Sequence, residues 1–95
     1  MFKELTLNKI MTFGQVLEEI KLGKKAFREG WNGKGMYIYY VGANSYPAQT
    51  EIAKVEFGDL VPYGEYIAFK SVQNTIECGW RPTTLDMFST DWVTK

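Results

Sequence analysis

The segment Met36-Tyr37-Ile38-Tyr39-Tyr40-Val41 has no polar face. As a strand it places Met36, Ile38 and Tyr40 on one side and Tyr37, Tyr39 and Val41 on the other, all apolar or aromatic. An antiparallel strand with one face in water alternates apolar and polar residues instead. This strand is therefore central in its sheet or covered by a partner. A Gly-rich turn, Gly30 to Gly35, feeds it from a shorter run, Lys24 to Trp31, in which Ala26 and Phe27 are apolar. The two runs read as a β-hairpin.

A helix precedes the hairpin. Thr12-Phe13-Gly14-Gln15 is a capping box, with the Thr12 hydroxyl placed to accept from the Gln15 amide while the Gln15 side chain reaches back. Phe13, Val16, Leu17 and Ile20 recur at helical spacing, Met11 can staple onto Val16, and Gly23 supplies a left-handed stop after Leu22. Glu18, Glu19 and Lys21 face water. Further upstream, Leu5 to Leu7 reads as a short strand.

After the hairpin, Gly42 to Gly64 carries Gly, Asn, Ser and Pro signals around one strand, Ile52 to Phe57, and is otherwise irregular. Tyr66 to Val72 and Thr75 to Trp80 make a second hairpin across Gln73-Asn74, with Cys78 read as a core residue at period 2. Thr83-Thr84-Leu85-Asp86 can cap a helical turn through Phe88, before Asp91-Trp92-Val93 closes as a strand. Helices are not interleaved between parallel strands, so the class is α+β: an N-terminal helix packed on an antiparallel β-sheet, with a short C-terminal helical turn. Residues 1–95 form one domain, with 1–10 an N-terminal extension and 42–64 a variable irregular middle.

At 95 residues such a domain buries only about 60% of its unfolded surface, which favours oligomerisation. Eleven basic and eleven acidic residues give a formal net charge of zero, so no global field draws the chain onto nucleic acid or an anionic membrane. Any anion site is local. No run approaches the roughly 18 apolar residues of a membrane span. Histidine is absent and Cys78 is the one cysteine. That removes Ser-His-Asp and Cys-His catalysis, zinc sites with clustered His or Cys ligands, and an intrachain disulfide. One thiol and no leader-like apolar run point to a reducing cytoplasm.

Two constellations could carry chemistry. In Gly30-Trp31-Asn32-Gly33-Lys34-Gly35, glycines allow close backbone approach to a ligand, Lys34 adds a cation and Trp31 a stacking face, as suits a phosphate-bearing nucleotide. The plainer alternative is a hairpin turn with a packed Trp. In Trp80-Arg81-Pro82-Thr83-Thr84-Leu85-Asp86, Arg81 can grip phosphate while Thr84 and Asp86 present a hydroxyl and a carboxylate to ribose or base edges. Alternatively, Thr83 and Asp86 cap the turn and Arg81 pairs with Asp91. Asp86 and Asp91 alone, with no third acid and no His, make a weak acid/base or metal motif, and no cofactor is called for.

Taken in order, Thr12-Phe13-Gly14-Gln15-Val16-Leu17-Glu18-Glu19, Gly23-Lys24-Lys25, Gly30-Trp31-Asn32-Gly33-Lys34-Gly35-Met36-Tyr37, Trp80-Arg81-Pro82, Asp86-Met87 and Asp91-Trp92 resemble a known family. It is the phage anti-Thoeris family of the second type, the Thoeris anti-defence sponges. The resemblance spans Met11 to Val93. It implies a non-catalytic phage protein in the host cytoplasm that sequesters the cyclic nucleotide signal glycocyclic ADP-ribose. It also implies a homotetramer with ligand pockets between subunits, and no nucleic-acid or membrane partner. On that footing Trp31 stacks on the adenine, Asn32 reads base or ribose edges, Lys34, Arg81 and the amides of Gly33 and Gly35 hold phosphates, and Thr84 and Asp86 hold ribose hydroxyls. The alternatives are a sponge for cyclic dinucleotides and a small phage accessory module that binds nucleic acid or protein.

Overall fold

The structure, a computed structural model, describes residues 11–31 and 34–95. The strand expected around Leu5 to Leu7 lies outside the described residues, as do Asn32 and Gly33. Helix α1, Phe13–Lys21, starts at the expected capping box: Thr12 Oγ1 accepts from the Gln15 amide (3.2 Å) and Gln15 Oε1 accepts from the Thr12 amide (2.9 Å). It stops at Gly23, whose φ of +100° lies in the left-handed region that glycine adopts without strain. Val16 and Ile20, one turn apart, are buried.

Strands β1 (Ala26–Arg28), β2 (Tyr37–Val41), β5 (Tyr66–Lys70), β6 (Ile76–Cys78) and β7 (Trp92–Thr94) form one antiparallel sheet, ordered β6-β5-β2-β1-β7. The strand with two apolar faces, β2, is central, as its composition requires. Its inner face lies beneath α1, where Ile38, Ala26 and Trp92 meet Val16 and Ile20, and Phe13, Tyr40, Ile67, Phe69 and Trp80 pack around them. Strand alternation sends Tyr37 and Tyr39, rings 6.1 Å apart, to the outer face. Among the described residues no helix covers that face. Class and architecture are thus α+β, with an N-terminal helix on an antiparallel sheet and a short C-terminal helix, α3 (Thr84–Phe88).

Two expectations are corrected. Ile52 to Phe57 is a helix, α2 (Glu51–Phe57), between β3 (Asn44–Pro47) and β4 (Leu60–Tyr63). Thr50 Oγ1 caps it by accepting from the Ala53 amide (3.1 Å), and Gly58, at φ +87°, ends it. The middle of the chain is therefore an ordered arm: β3 and β4 pair antiparallel as a separate two-stranded sheet, and α2 packs on β4. The arm leaves Ile52, Val55, Phe57 and Leu60 exposed. Cys78 is exposed rather than core, because β6 is the sheet's edge strand.

Replacing Thr12 with Ala removes the reciprocal cap and is expected to lower the unfolding free energy by about 1 kcal/mol in urea titrations. An unchanged midpoint would show that the box adds nothing to the fold.

Candidate functional site

Strand β1 ends on Arg28, paired across the sheet with Trp92 and therefore on the inner, α1-facing side. Two carboxylates from the far end of the chain converge on its guanidinium. Nε donates to Asp91 Oδ1 at 2.8 Å and Nη1 to Asp86 Oδ1 at 2.9 Å. Each carboxylate then reaches further. Asp91 Oδ2 accepts from the Gly30 amide (2.8 Å), and Asp86 accepts from the Trp31 indole N–H through Oδ1 (3.2 Å) and from the Thr83 amide through Oδ2 (2.9 Å). A Cβ at position 30 would lie 2.8 Å from Asp91 Oδ2, so the turn has to begin with glycine.

These contacts set the charge states. Burial pushes the Asp86 carboxyl up, but hydrogen bonds from Thr83, Arg28 and Trp31 outweigh it and leave Asp86 below the usual carboxylate range. The Arg28 hydrogen bond, against burial and helped by the Gly30 amide, holds Asp91 low as well. Arg28 is correspondingly harder to deprotonate, chiefly through Asp91. One guanidinium between two carboxylates leaves a net negative charge under the start of the turn.

Trp31 is half-buried and sits among Phe69, Trp80 and Trp92, with ring centroids 6.0, 6.2 and 5.3 Å away, each edge-to-face. Such geometry is the favoured one for aromatic pairs. It also borders an open groove of about 570 Å³, lined further by Lys25, Phe27, Lys34, Gly35, Tyr37 and Lys95. Lys25 Nζ stands 4.5 Å above the Tyr37 ring and Lys95 Nζ 5.8 Å from the Phe27 ring, both within cation–π range. Lys70 Nζ donates to the Gly35 carbonyl (3.1 Å) and stands 5.8 Å from the Tyr37 ring. Glu29 also lines the groove, but Lys25, Lys34 and Lys95 outnumber it and, among the described residues, form no ion pair, so the groove is a local cationic patch on a chain of zero net charge. It combines aromatic walls with cations, the surface a phosphorylated heterocycle needs.

The residues expected at the site thus separate around Trp31. Lys34 and Gly35 lie with it in the groove, Gly35 at φ +83°. Asp86 touches Trp31 from the other side, but its carboxylate is committed to Arg28, Trp31 and the Thr83 amide. The plainer reading holds in that Thr83 and Asp86 form a capping box. Thr84 and Arg81 are exposed near α3, and among the described residues Arg81 has no ion pair. The Arg81–Asp91 pair is not formed, because Arg28 occupies Asp91. Sequence reading missed Arg28, Lys25, Phe27, Tyr37 and Lys95. The alternation that puts Phe27 opposite Ala26 was a usable signal for the groove wall, whereas Lys95 joins only through pairing of β1 with β7.

Because Asp86 and Asp91 are low when folded and ordinary when unfolded (about 3.9), their stabilisation is present above that value and lost as pH falls through the folded values. Urea midpoints should stay level from about pH 7 to 5 and drop below about pH 4. Asp91→Asn should make the acid drop shallower, and an identical drop would remove Asp91 from the account.

The chain from 11 to 94 matches the Thoeris anti-defense 2-like domain family. A relative from Bacillus phage SP01, Thoeris anti-defense 2, is 30% identical over 82 residues, covering 86% of this chain and 91% of the relative. The matched span takes in α1, the hairpin turn and the positions of both carboxylates that hold Arg28, and the chain belongs to the Thoeris anti-defense 2-like family.

Proposed function

We propose that this chain is a phage counter-defence protein that blocks Thoeris immunity by binding a cyclic nucleotide signal, glycocyclic ADP-ribose, and holding it without chemical change. The observation that carries this reading is the groove beside Trp31, where Lys25, Lys34 and Lys95 face the same space as Phe27, Trp31 and Tyr37. Its volume falls in the range of small-molecule sites, which span roughly 300–1,000 Å³. Aromatic walls hold the base and ribose, and lysines offset the diphosphate, which is a shared task for charge-assisted hydrogen bonds. Trp31, Asn32, Gly33, Lys34 and Gly35 supply the turn of the site. Arg81 and Thr84 are not among the groove's lining residues, and Asp86 acts by orienting Trp31 rather than by meeting ribose.

Sequestration rather than turnover is favoured by the two carboxylates best placed for acid/base work. Both are ion-paired to Arg28 and held ionised, so neither is poised to trade a proton near neutral pH. Depleting a scarce signal requires a Kd near or below about 10 nM, roughly 11 kcal/mol. An open groove on one protomer buries too little of a ligand for that, and a homotetramer that closes it supplies the rest. The bare outer face of the sheet and the apolar side chains of α2 and β4 are surfaces that such an assembly would bury. The protein would act in the host cytoplasm with no cofactor and no nucleic-acid or membrane partner. Among the described residues no helix is long and apolar enough to cross a membrane.

The test is to mix purified protein with glycocyclic ADP-ribose, remove free ligand by filtration, heat-denature the protein and identify the released compound by mass spectrometry. Intact ligand at a fixed ratio to protein is expected. Altered ligand would make the protein an enzyme, and no retained ligand would overturn the ligand assignment and turn the search to cyclic dinucleotides. Lys25→Ala and Lys34→Ala should each weaken retention about tenfold, in line with the roughly 1.5 kcal/mol of a hydrogen bond to a charged group.

A further inference from the structure

Gly30 and Trp31 open the turn that borders the groove, yet neither is held by the hairpin's own pairing. β1 and β2 meet at the single register pair Ala26↔Ile38, two residues before β1 ends. Beyond it the chain is anchored from elsewhere: the Glu29 amide donates to the Asp91 carbonyl (3.1 Å), the Gly30 amide to Asp91 Oδ2, and the Trp31 indole to Asp86 Oδ1. Both carboxylates are gripped by Arg28, whose side chain is 11% exposed. Asp86 is anchored in turn, because the Trp92 indole donates to its carbonyl (3.0 Å) from within the core.

Resting on the reading of this turn as part of a ligand site, we propose that Arg28 is a positioning residue, which presets Gly30 and Trp31 for ligand by holding the carboxylates of Asp91 and Asp86 against them. The guanidinium reaches two carboxylates from two different nitrogens in one rigid plane. A lysine keeps the charge but has no such fork. Without it the two carboxylates repel each other across the space Arg28 fills, and the partners of the Gly30 amide and the Trp31 indole move. Arg28 borders the groove, but its Nε and Nη1 donors are taken by Asp91 and Asp86, so it acts through the turn. A preset turn spares the ligand the entropy of ordering it, which is where the affinity of a sequestering site is gained.

Two variants test this. Arg28→Lys removes the fork. Gly30→Ala leaves Arg28 in place but drives a Cβ to 2.8 Å from Asp91 Oδ2 and 3.3 Å from Arg28 Nη2. Hydrogen exchange by NMR is followed at the amides of residues 29–31 and at the Trp31 indole, with the β2 amides of Tyr39 and Tyr40 as reference. Affinity for glycocyclic ADP-ribose is measured in parallel. Exchange at 29–31 and at the indole is expected to rise at least tenfold in both variants while Tyr39 and Tyr40 change less than threefold, and affinity is expected to fall at least tenfold. Equal acceleration at all sites, as a merely structural role would give, or unchanged exchange at residues 29–31, would overturn the proposal. So would variants that bind as tightly as a wild type that binds. A wild type that retains no glycocyclic ADP-ribose overturns the ligand reading instead, and the exchange comparison still decides for or against Arg28.

Discussion

One guanidinium, that of Arg28, ties the end of β1 to α3 and to the segment that leads into β7, beyond the last β1–β7 register pair. Asp86 and Asp91 lie 58 and 63 residues away, on α3 and just before β7, and their grip on Arg28 fixes where the C-terminal segment crosses the end of β1. A buried ion pair of this kind is costly to desolvate, and its net worth over an apolar substitute is small. Breaking it on one side is another matter, since it leaves a buried charge without its partner at a cost of about 3–5 kcal/mol. With Asp91 about a third exposed, its half of the arrangement falls at the lower end of that range. The arrangement therefore specifies geometry more than it adds stability. The Trp31 ring, the Gly30 amide and the first turn of α3 all take their places from it.

That geometry divides the surroundings of Trp31 by charge. Beneath the turn, two carboxylates and one guanidinium leave negative charge facing inward, unsuited to phosphate. On the outer side, Lys25 and Lys95 stand over aromatic rings and Lys34 of the hairpin turn lines the same groove. An anionic ligand is thus directed to the outer face of the sheet, with Trp31 as the wall between the two environments. The same outer face explains the unusual composition of β2. Its inner residues serve the α1 core, and Tyr37 serves the groove.

Features encoded over a few residues were legible in the sequence. The Thr12 capping box, the Gly23 stop and the Thr83 cap each depend on side chains within four or five positions and formed as read, and both expected hairpins pair antiparallel, the first through the one register pair Ala26↔Ile38. Helix α2 is bracketed by the Thr50 cap and Gly58, but Ile52, Val55 and Phe57 are β-forming residues and mask it in the sequence. Cys78 follows period 2, but periodicity does not tell an edge strand from a central one. At the site, the turn was legible as a glycine-rich element with a cation. The groove was not, because Phe27 and Tyr37 become its wall only when β1 and β2 lie side by side, and Lys95 arrives through β7. Arg28 carries no local signal at all, since its meaning lies in two residues some sixty positions away.

The proposed ligand site lies on the outer, lysine-lined side of Trp31, over a turn set by Arg28. Amide and side-chain chemical-shift mapping of the protein titrated with glycocyclic ADP-ribose tests it most directly. The largest perturbations are expected at Lys25, Phe27, Trp31, Lys34 and Tyr37, with small ones at Arg81 and Thr84. Perturbations centred on Arg81, Thr84 and α3, with the groove residues unmoved, would contradict it.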